Sequence, residues 1–166
     1  MDEILDRKKR IALVAHDNCK EDIIEWVRWN TDILINHKMI CTGTTGKLVR
    51  TALEEKNDLE KEIDVTCLLS GPIGGDFQLG ALVVEGKIDL MIFLWDPTEP
   101  HPHDVDVKAL LRIAVLHNIP FACNRASADY LISSPLFLEE YQPKEMDFST
   151  YNNRSPSNNN RGKETL

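Results

Sequence analysis

Val65-Thr66-Cys67-Leu68-Leu69-Ser70-Gly71-Pro72-Ile73-Gly74-Gly75-Asp76 is the stretch on which the fold turns. Its first half, Val65 to Leu69, is a short apolar run that reads as a buried strand. Its second half is a turn in which glycines let the backbone bend sharply and come close to a ligand. Asp76 follows, where a new helix is expected to begin. A carboxylate there can cap the helix or act as a catalytic base, and the stretch alone leaves both readings open.

Working outward, similar apolar runs recur at Ile11–Ala15, Met39–Cys41, Leu90–Trp95 and Pro120–Cys123. The segments between them carry apolar residues at helical spacing, over 20–30, 47–56, 78–86, 104–118 and 126–132. Uninterrupted apolar runs suit strands covered on both faces, hence a parallel sheet. Five strand–helix units predict a single-domain α/β fold: a doubly wound five-stranded parallel sheet flanked by helices, a flavodoxin-like three-layer sandwich. The α/β domain is expected over residues 1–138. Residues 139–166 are expected to form a polar, disordered tail, in which Asn152 to Arg161 is rich in Asn, Ser and Arg.

The chain has 166 residues and a net charge of −8. That balance argues against a nucleic-acid partner, which needs a basic face. No apolar stretch approaches the roughly 20 residues needed to span a bilayer, so no membrane partner and a cytoplasmic location are expected. The four cysteines, Cys19, Cys41, Cys67 and Cys123, show neither a C-x-x-C pair nor zinc spacing. They read as reduced thiols serving as small core residues.

Ligands of doubly wound folds bind beyond the carboxyl ends of the strands. Residues that follow the runs here are chemically capable: His16-Asp17-Asn18 and Lys20 after the first, Thr42-Gly43-Thr44-Thr45-Gly46 after the second, Ser70-Gly71 and Gly74-Gly75-Asp76 after the third. Asp96 follows the fourth, with a proline-rich loop bearing His101, His103, Asp104 and Asp106. The Thr42–Gly46 segment reads either as an anion nest or as a plain turn before a helix. Millimolar binding requires about 4 kcal/mol, whereas one helix terminus supplies only about 0.3–2 kcal/mol. Lys20 and Ser70-Gly71 would add charged hydrogen bonds of about 1.5–3 kcal/mol each, enough for a phosphomonoester. His16 and His103 read as structural residues, neutral donors or phosphate ligands. His101 and His103 with Asp104 make only a weak metal pattern, and no metal or cofactor is expected. Asp76 is the best base candidate. Its carboxyl must rise above the ordinary value of about 3.9 to serve at neutral pH, through burial and neighbours such as Asp17, Asp96 and Asp106.

The chain resembles the methylglyoxal synthase family. The motifs that carry this are Ile11 to Asp17, Thr42 to Gly46, Leu69 to Pro72 running into Gly74-Gly75-Asp76, Gly80-Ala81-Leu82, Trp95-Asp96-Pro97, and Pro102-His103-Asp104 leading to Asp106 through Arg112. Together they cover roughly residues 8–137 in one order, which makes the resemblance specific. It implies a carbon–oxygen lyase that converts dihydroxyacetone phosphate to methylglyoxal and inorganic phosphate, a bypass of glycolysis, without metal or organic cofactor. It implies Asp76 as base, and His16, Lys20, Thr42, Gly43, Thr44, Thr45, Ser70, Gly71 and His103 as substrate and phosphate positions. Asp17, Asp96 and Asp106 match further acidic positions. The family is an allosteric homohexamer inhibited by phosphate. Phe77, Val105 and Arg125 depart from its usual pattern. Two alternatives share the fold or the first step: a regulatory ligand-binding domain like that of carbamoyl phosphate synthetases, and a sugar-phosphate isomerase.

Overall fold

In the computed structural model, which describes residues 8–57, 61–141 and 143–154, the apolar runs become five parallel strands. These are β1 (Arg10–Ala15), β2 (Lys38–Cys41), β3 (Asp64–Cys67), β4 (Leu90–Leu94) and β5 (Phe121–Ala122), in the order β3-β2-β1-β4-β5. Side chains of a strand alternate between faces. Ile11 and Leu13 of β1 therefore enter one core, and Ala12 and Val14 enter the other. Leu90, Ile92 and Leu94 of β4 likewise oppose Met91 and Phe93. The unbroken apolar runs Ile11–Ala15 and Leu90–Leu94 of these central strands are the direct consequence of being covered twice.

Helices α1 (Lys20–Trp29), α3 (Gly43–Glu55) and α6 (Arg125–Ser133) cover the first face, with Trp26, Val27, Val49, Leu53 and Ile132 buried against it. Helices α4 (Gly75–Val84) and α5 (Asp104–Leu116) cover the second with Leu79, Val83, Val107 and Leu110. Each such aliphatic side chain contributes roughly 1.5–3 kcal/mol on burial. Short helices α2 (Thr31–Leu34), α7 (Pro135–Leu138) and α8 (Ser149–Asn152) complete the described elements. The three-layer sandwich stands as expected. Its strand order differs from the 2-1-3-4-5 of flavodoxin itself and moves the topological switch point to the gap between β1 and β4.

Two expectations are corrected. The run Val65 to Leu69 is not a wholly buried strand: β3 is the sheet edge, ends at Cys67, and leaves Thr66 and Cys67 exposed. Helix α3 starts at Gly43 rather than at Lys47, so the Thr/Gly segment is its first turn and not a loop before it. Tertiary anchoring overrides the weak helical preference of Gly and Thr, because the Gly43 N–H donates to Leu69 O at 3.0 Å. Residues 139–141 and 143–154 lie against the sandwich. Lys9 Nζ donates to Glu139 O at 2.8 Å, Asn118 Nδ2 donates to Lys144 O at 3.1 Å, and the Phe148 ring lies 5.3 Å from that of His117. This segment walls an open groove of about 1120 Å³ at the amino ends of the strands. Residues 155–161 of the Asn/Ser/Arg-rich stretch lie outside the described residues.

The turn that joins β3 to α4 fixes where the carboxyl rim carries its chemistry. Gly74 adopts φ +113°, which side chains resist, and Gly75 N donates to Ser70 O at 2.9 Å. A β-carbon at Gly75 would sit 2.0 Å from Leu69 O, a backbone atom that cannot swing aside. Gly75→Ala is therefore expected to destabilise the fold by about 1–3 kcal/mol or more, read as a lower urea midpoint with an unchanged slope.

Candidate active site

Four strand ends and three helix starts meet around one cavity of about 250 Å³. His16 and Asp17 reach it from the end of β1, Lys20 from the start of α1, and Thr42, Gly43, Thr44 and Thr45 from β2 and the first turn of α3. Ser70 and Gly71 come from the turn after β3, Asp76 from the first turn of α4, and His101 and His103 from the loop after β4. Asp96 and Asp106 do not line the cavity.

The anion-binding corner is built by backbone. Gly43 holds φ +49°, and a β-carbon there would lie 2.7 Å from Ser70 Cβ, so only glycine lets the ends of β2 and β3 close together. The Gly43 N–H is used by Leu69 O, which leaves the N–H groups of Thr44 and Thr45 as donors that the helix cannot satisfy internally. Thr42 precedes the helix without capping it. Lys20 Nζ donates to Thr44 Oγ1 at 2.7 Å and to Asp17 Oδ1. Asp17 is thus a partner of Lys20, which holds its carboxyl below the usual range; it is mostly exposed and supplies no burial to Asp76.

Asp76 is 4% exposed. It caps nothing: Gly74 precedes α4, and no side chain caps that helix. Its Oδ2 is buried without a hydrogen-bond partner among the described residues. Burial raises the Asp76 carboxyl above its ordinary value; His103 opposes that rise and Asp106 adds to it. His103 Nε2 stands 3.9 Å from Asp76 Oδ2. Gly71 faces the pair, since a β-carbon there would lie 3.1 Å from Asp76 Oδ2 and 3.2 Å from His103 Nε2.

His16 is buried, and its Nδ1 accepts the Asp96 N–H at 3.2 Å, so its ring proton sits on Nε2 in the neutral form. Burial first, then His101 and His103, lower its tendency to charge. Ring centroids lie 3.9 Å apart for His16 and His101, and 5.7 Å apart for His16 and His103. A second imidazolium charge that close would oppose one on His16 by about 3–4 kcal/mol at an effective dielectric constant of about 20, which favours the neutral His16 ring.

Asp96 does other work. Its carboxylate accepts from Asn18 Nδ2 at 2.8 Å, Thr98 N at 2.9 Å and Thr98 Oγ1 at 2.6 Å. The bonds from Thr98 and then Asn18 hold its pKa down to about 2. It fixes the loop after β4 and orients His16, and it is too weak a base and too well occupied to take a proton. Arg125 is engaged by Glu25 and Asp22 of α1, away from the cavity. His101 is the lining residue that the sequence reading considered only as a metal ligand. Its place two residues before His103 on one proline-rich loop was the available signal. Among the described residues no cluster of His, Cys, Asp or Glu is arranged to hold a metal ion.

Fold and cavity together define an α/β protein that takes a small anionic ligand at the carboxyl rim of a parallel sheet and sets a buried carboxylate against it. The family model of the MGS-like domain matches residues 22–123. The methylglyoxal synthase of Maridesulfovibrio salexigens is 54% identical over 155 residues, covering 90% of this chain and 99% of that protein. That of Leptospira interrogans is 52% identical over 142 residues, covering 86% of this chain and 90% of the relative. The crystal structure of methylglyoxal synthase from Elizabethkingia anophelis superposes with a TM-score of 0.81 at 43% identity, covering 92% of this chain and 95% of that one. This chain belongs to the methylglyoxal synthase family.

Two rim carboxylates should move stability in opposite directions. Asp76 has a folded pKa above its unfolded value, so the fold loses stability as pH rises from about 3.8 through the folded pKa. Asp76→Asn should be more stable than the parent at pH 7, with the difference vanishing below about pH 4. Asp96 has a folded pKa below its unfolded value, so its contribution is present above about 3.8 and is lost as pH falls toward about 2. Asp96→Asn should be less stable than the parent at pH 7. Urea denaturation of the three proteins across pH 3–8 checks both signs.

Proposed function

We infer that this protein is a methylglyoxal synthase, a lyase that converts dihydroxyacetone phosphate to methylglyoxal and inorganic phosphate. One observation carries the reading: the free carboxylate of Asp76 shares a 250 Å³ cavity with the anion-binding turn of α3. A carboxyl raised by burial is a better base at neutral pH than an ordinary aspartate. Asp76 removes the proton from the hydroxymethyl carbon. His103 Nε2, beside that carboxylate, donates to the carbonyl oxygen as it becomes an enediolate. The N–H groups of Thr44 and Thr45, the hydroxyls of Thr42 and Ser70, and Lys20 hold the phosphate, and His16 offers its Nε2–H as a neutral donor. Held so, the bridging C–O bond stands perpendicular to the enediolate plane. Electrons of the enediolate then expel phosphate instead of accepting a proton at carbon, and the enol left behind tautomerises to methylglyoxal. In this scheme Asp17 orients Lys20, Asp106 acts on Asp76 through space, and Asp96 orients His16.

The same reading extends to the assembly and its control. The protein acts in the cytoplasm as a homohexamer, on dihydroxyacetone phosphate, with inorganic phosphate as product and allosteric inhibitor. Ile73 and Phe77, on either side of the Gly74 turn, are 66% and 67% exposed, which supports burial by another copy of the chain. A ligand-binding regulatory domain on this fold would have no use for a buried, unpaired carboxylate. That favours the enzyme over the alternative.

The assay supplies dihydroxyacetone phosphate and follows methylglyoxal and phosphate. The parent should release both in equal amounts. Asp76→Asn should lose about 10²–10⁴-fold in kcat while binding phosphate within a few-fold of the parent. Glyceraldehyde 3-phosphate as product would identify an isomerase, and absent turnover in the parent would leave a binding domain.

A further inference from the structure

Cys41 and Cys67 are register partners on the adjacent parallel strands β2 and β3. Partners in a parallel ladder point to the same face, and both β-carbons lie within 3.3 Å of the point where a side chain at Gly46 would begin. The Sγ of Cys67 is 2.6 Å from that point, under the first turn of α3. Strand spacing of about 4.8 Å falls within the range of α-carbon separations that a disulfide accepts, about 4.4–6.8 Å. Both thiols are free; Cys67 lies on the exposed edge strand and Cys41 is buried.

We propose that Cys41 and Cys67 form a reversible disulfide under peroxide, and that this bond switches off the neighbouring anion-binding turn. The exposed Cys67 thiol reacts first. Its sulfur takes one peroxide oxygen as the O–O bond breaks, giving a sulfenic acid and water. Cys41 sulfur then attacks the Cys67 sulfur. The S–S bond forms, the S–O bond breaks, and hydroxide leaves with the Cys41 proton as a second water. Two thiols lose two electrons and two protons, and one peroxide becomes two waters. Burial keeps Cys41 protonated, so it is a slow nucleophile in its own right; its fixed place one strand away compensates for that.

The consequence lies next door in the chain. A disulfide prefers α-carbons about 5.5–6 Å apart, wider than the strand spacing of about 4.8 Å. The carboxyl ends of β2 and β3 must therefore spread by roughly 1 Å, and edge strand β3 is the one with room to move. Thr42 follows Cys41 directly, Leu68 N donates to Cys41 O at 2.7 Å, and Gly43 N donates to Leu68 O at 3.2 Å. That spreading shifts Thr42 and Ser70, which both line the anion corner. The loss of phosphate affinity rests on the proposed function of that corner, whereas the disulfide itself does not.

The test treats the full protein with hydrogen peroxide and counts thiols after unfolding. The count should fall from four to two, with peptide mapping joining Cys41 to Cys67 within one chain. Inorganic phosphate affinity, measured by calorimetry, should drop roughly tenfold or more, and a dithiol reductant should restore it. Cys67→Ser and Cys41→Ala should bind phosphate like the reduced parent before and after peroxide. A count that stays at four, or a link that joins another pair or two chains, overturns the disulfide. An oxidised, linked protein with unchanged phosphate affinity overturns the switch, as does an equal loss in Cys67→Ser. A reduced parent that binds no phosphate would refute the proposed function, and with it the switch, while the thiol count still decides the disulfide.

Discussion

The first turn of α4 passes so close to the end of β3 that position 75 has no space for a β-carbon, which would meet the Leu69 carbonyl oxygen at 2.0 Å. This contact governs the site. It lets the chain leave an edge strand, reverse through Gly74 in the left-handed region, and start a helix with Asp76 in its first turn. Any larger residue would push α4 outward and carry Asp76 away from His103 and from the anion corner. A second close approach, Gly43 against Ser70, holds that corner to the same turn. The two glycine contacts convert a generic parallel rim into a cavity with a buried carboxylate at one end and N–H donors at the other.

The price of this arrangement is concentrated in one place. Buried polar atoms without partners among the described residues are His16 Nε2, Asp76 Oδ2, His101 Nε2, His103 Nδ1 and Asp104 Oδ1, all on the carboxyl rim. A buried unsatisfied polar group costs about 1–3 kcal/mol. A fold tolerates such a cluster only where it serves binding or chemistry, and two fully covered central strands supply the stability that offsets it. Asp96 shows the contrast. It sits on the same rim, is fully hydrogen-bonded and is held at about 2, and it serves the loop instead of the reaction.

Strand identities and helix faces were legible because β1 from Ile11 onward and all of β4 are apolar and α5 carries a clear stripe. The rim was legible because polar residues cluster after each apolar run. Edges and starts were not. An apolar run cannot announce that its strand lies at the sheet edge, so Cys67 read as core; its exposure depends on β3 having β2 as its one neighbour. The start of α3 at Gly43 was hidden because a bond from Gly43 to Leu69, 26 positions away in sequence, overrides local preference. The carboxylates of the rim looked equivalent as letters. Only the bonds made by Asp17 and Asp96, and the lack of a partner for Asp76 Oδ2 among the described residues, set Asp76 apart from them. His101 was underweighted because its contact with His16 comes from a loop after a different strand.

The central claim is geometric: one ligand touches the Asp76 carboxylate and the α3 turn at once. A crystal structure of the protein with a phosphate-bearing hydroxamate that mimics the enediolate tests this most directly. The account predicts the phosphate on the N–H groups of Thr44 and Thr45 with Lys20 beside it. It also predicts an Asp76 oxygen within hydrogen-bond reach of the atom that stands for the proton-bearing carbon. A phosphate bound elsewhere, or a mimic held at the Thr turn with Asp76 out of reach of it, would contradict the account.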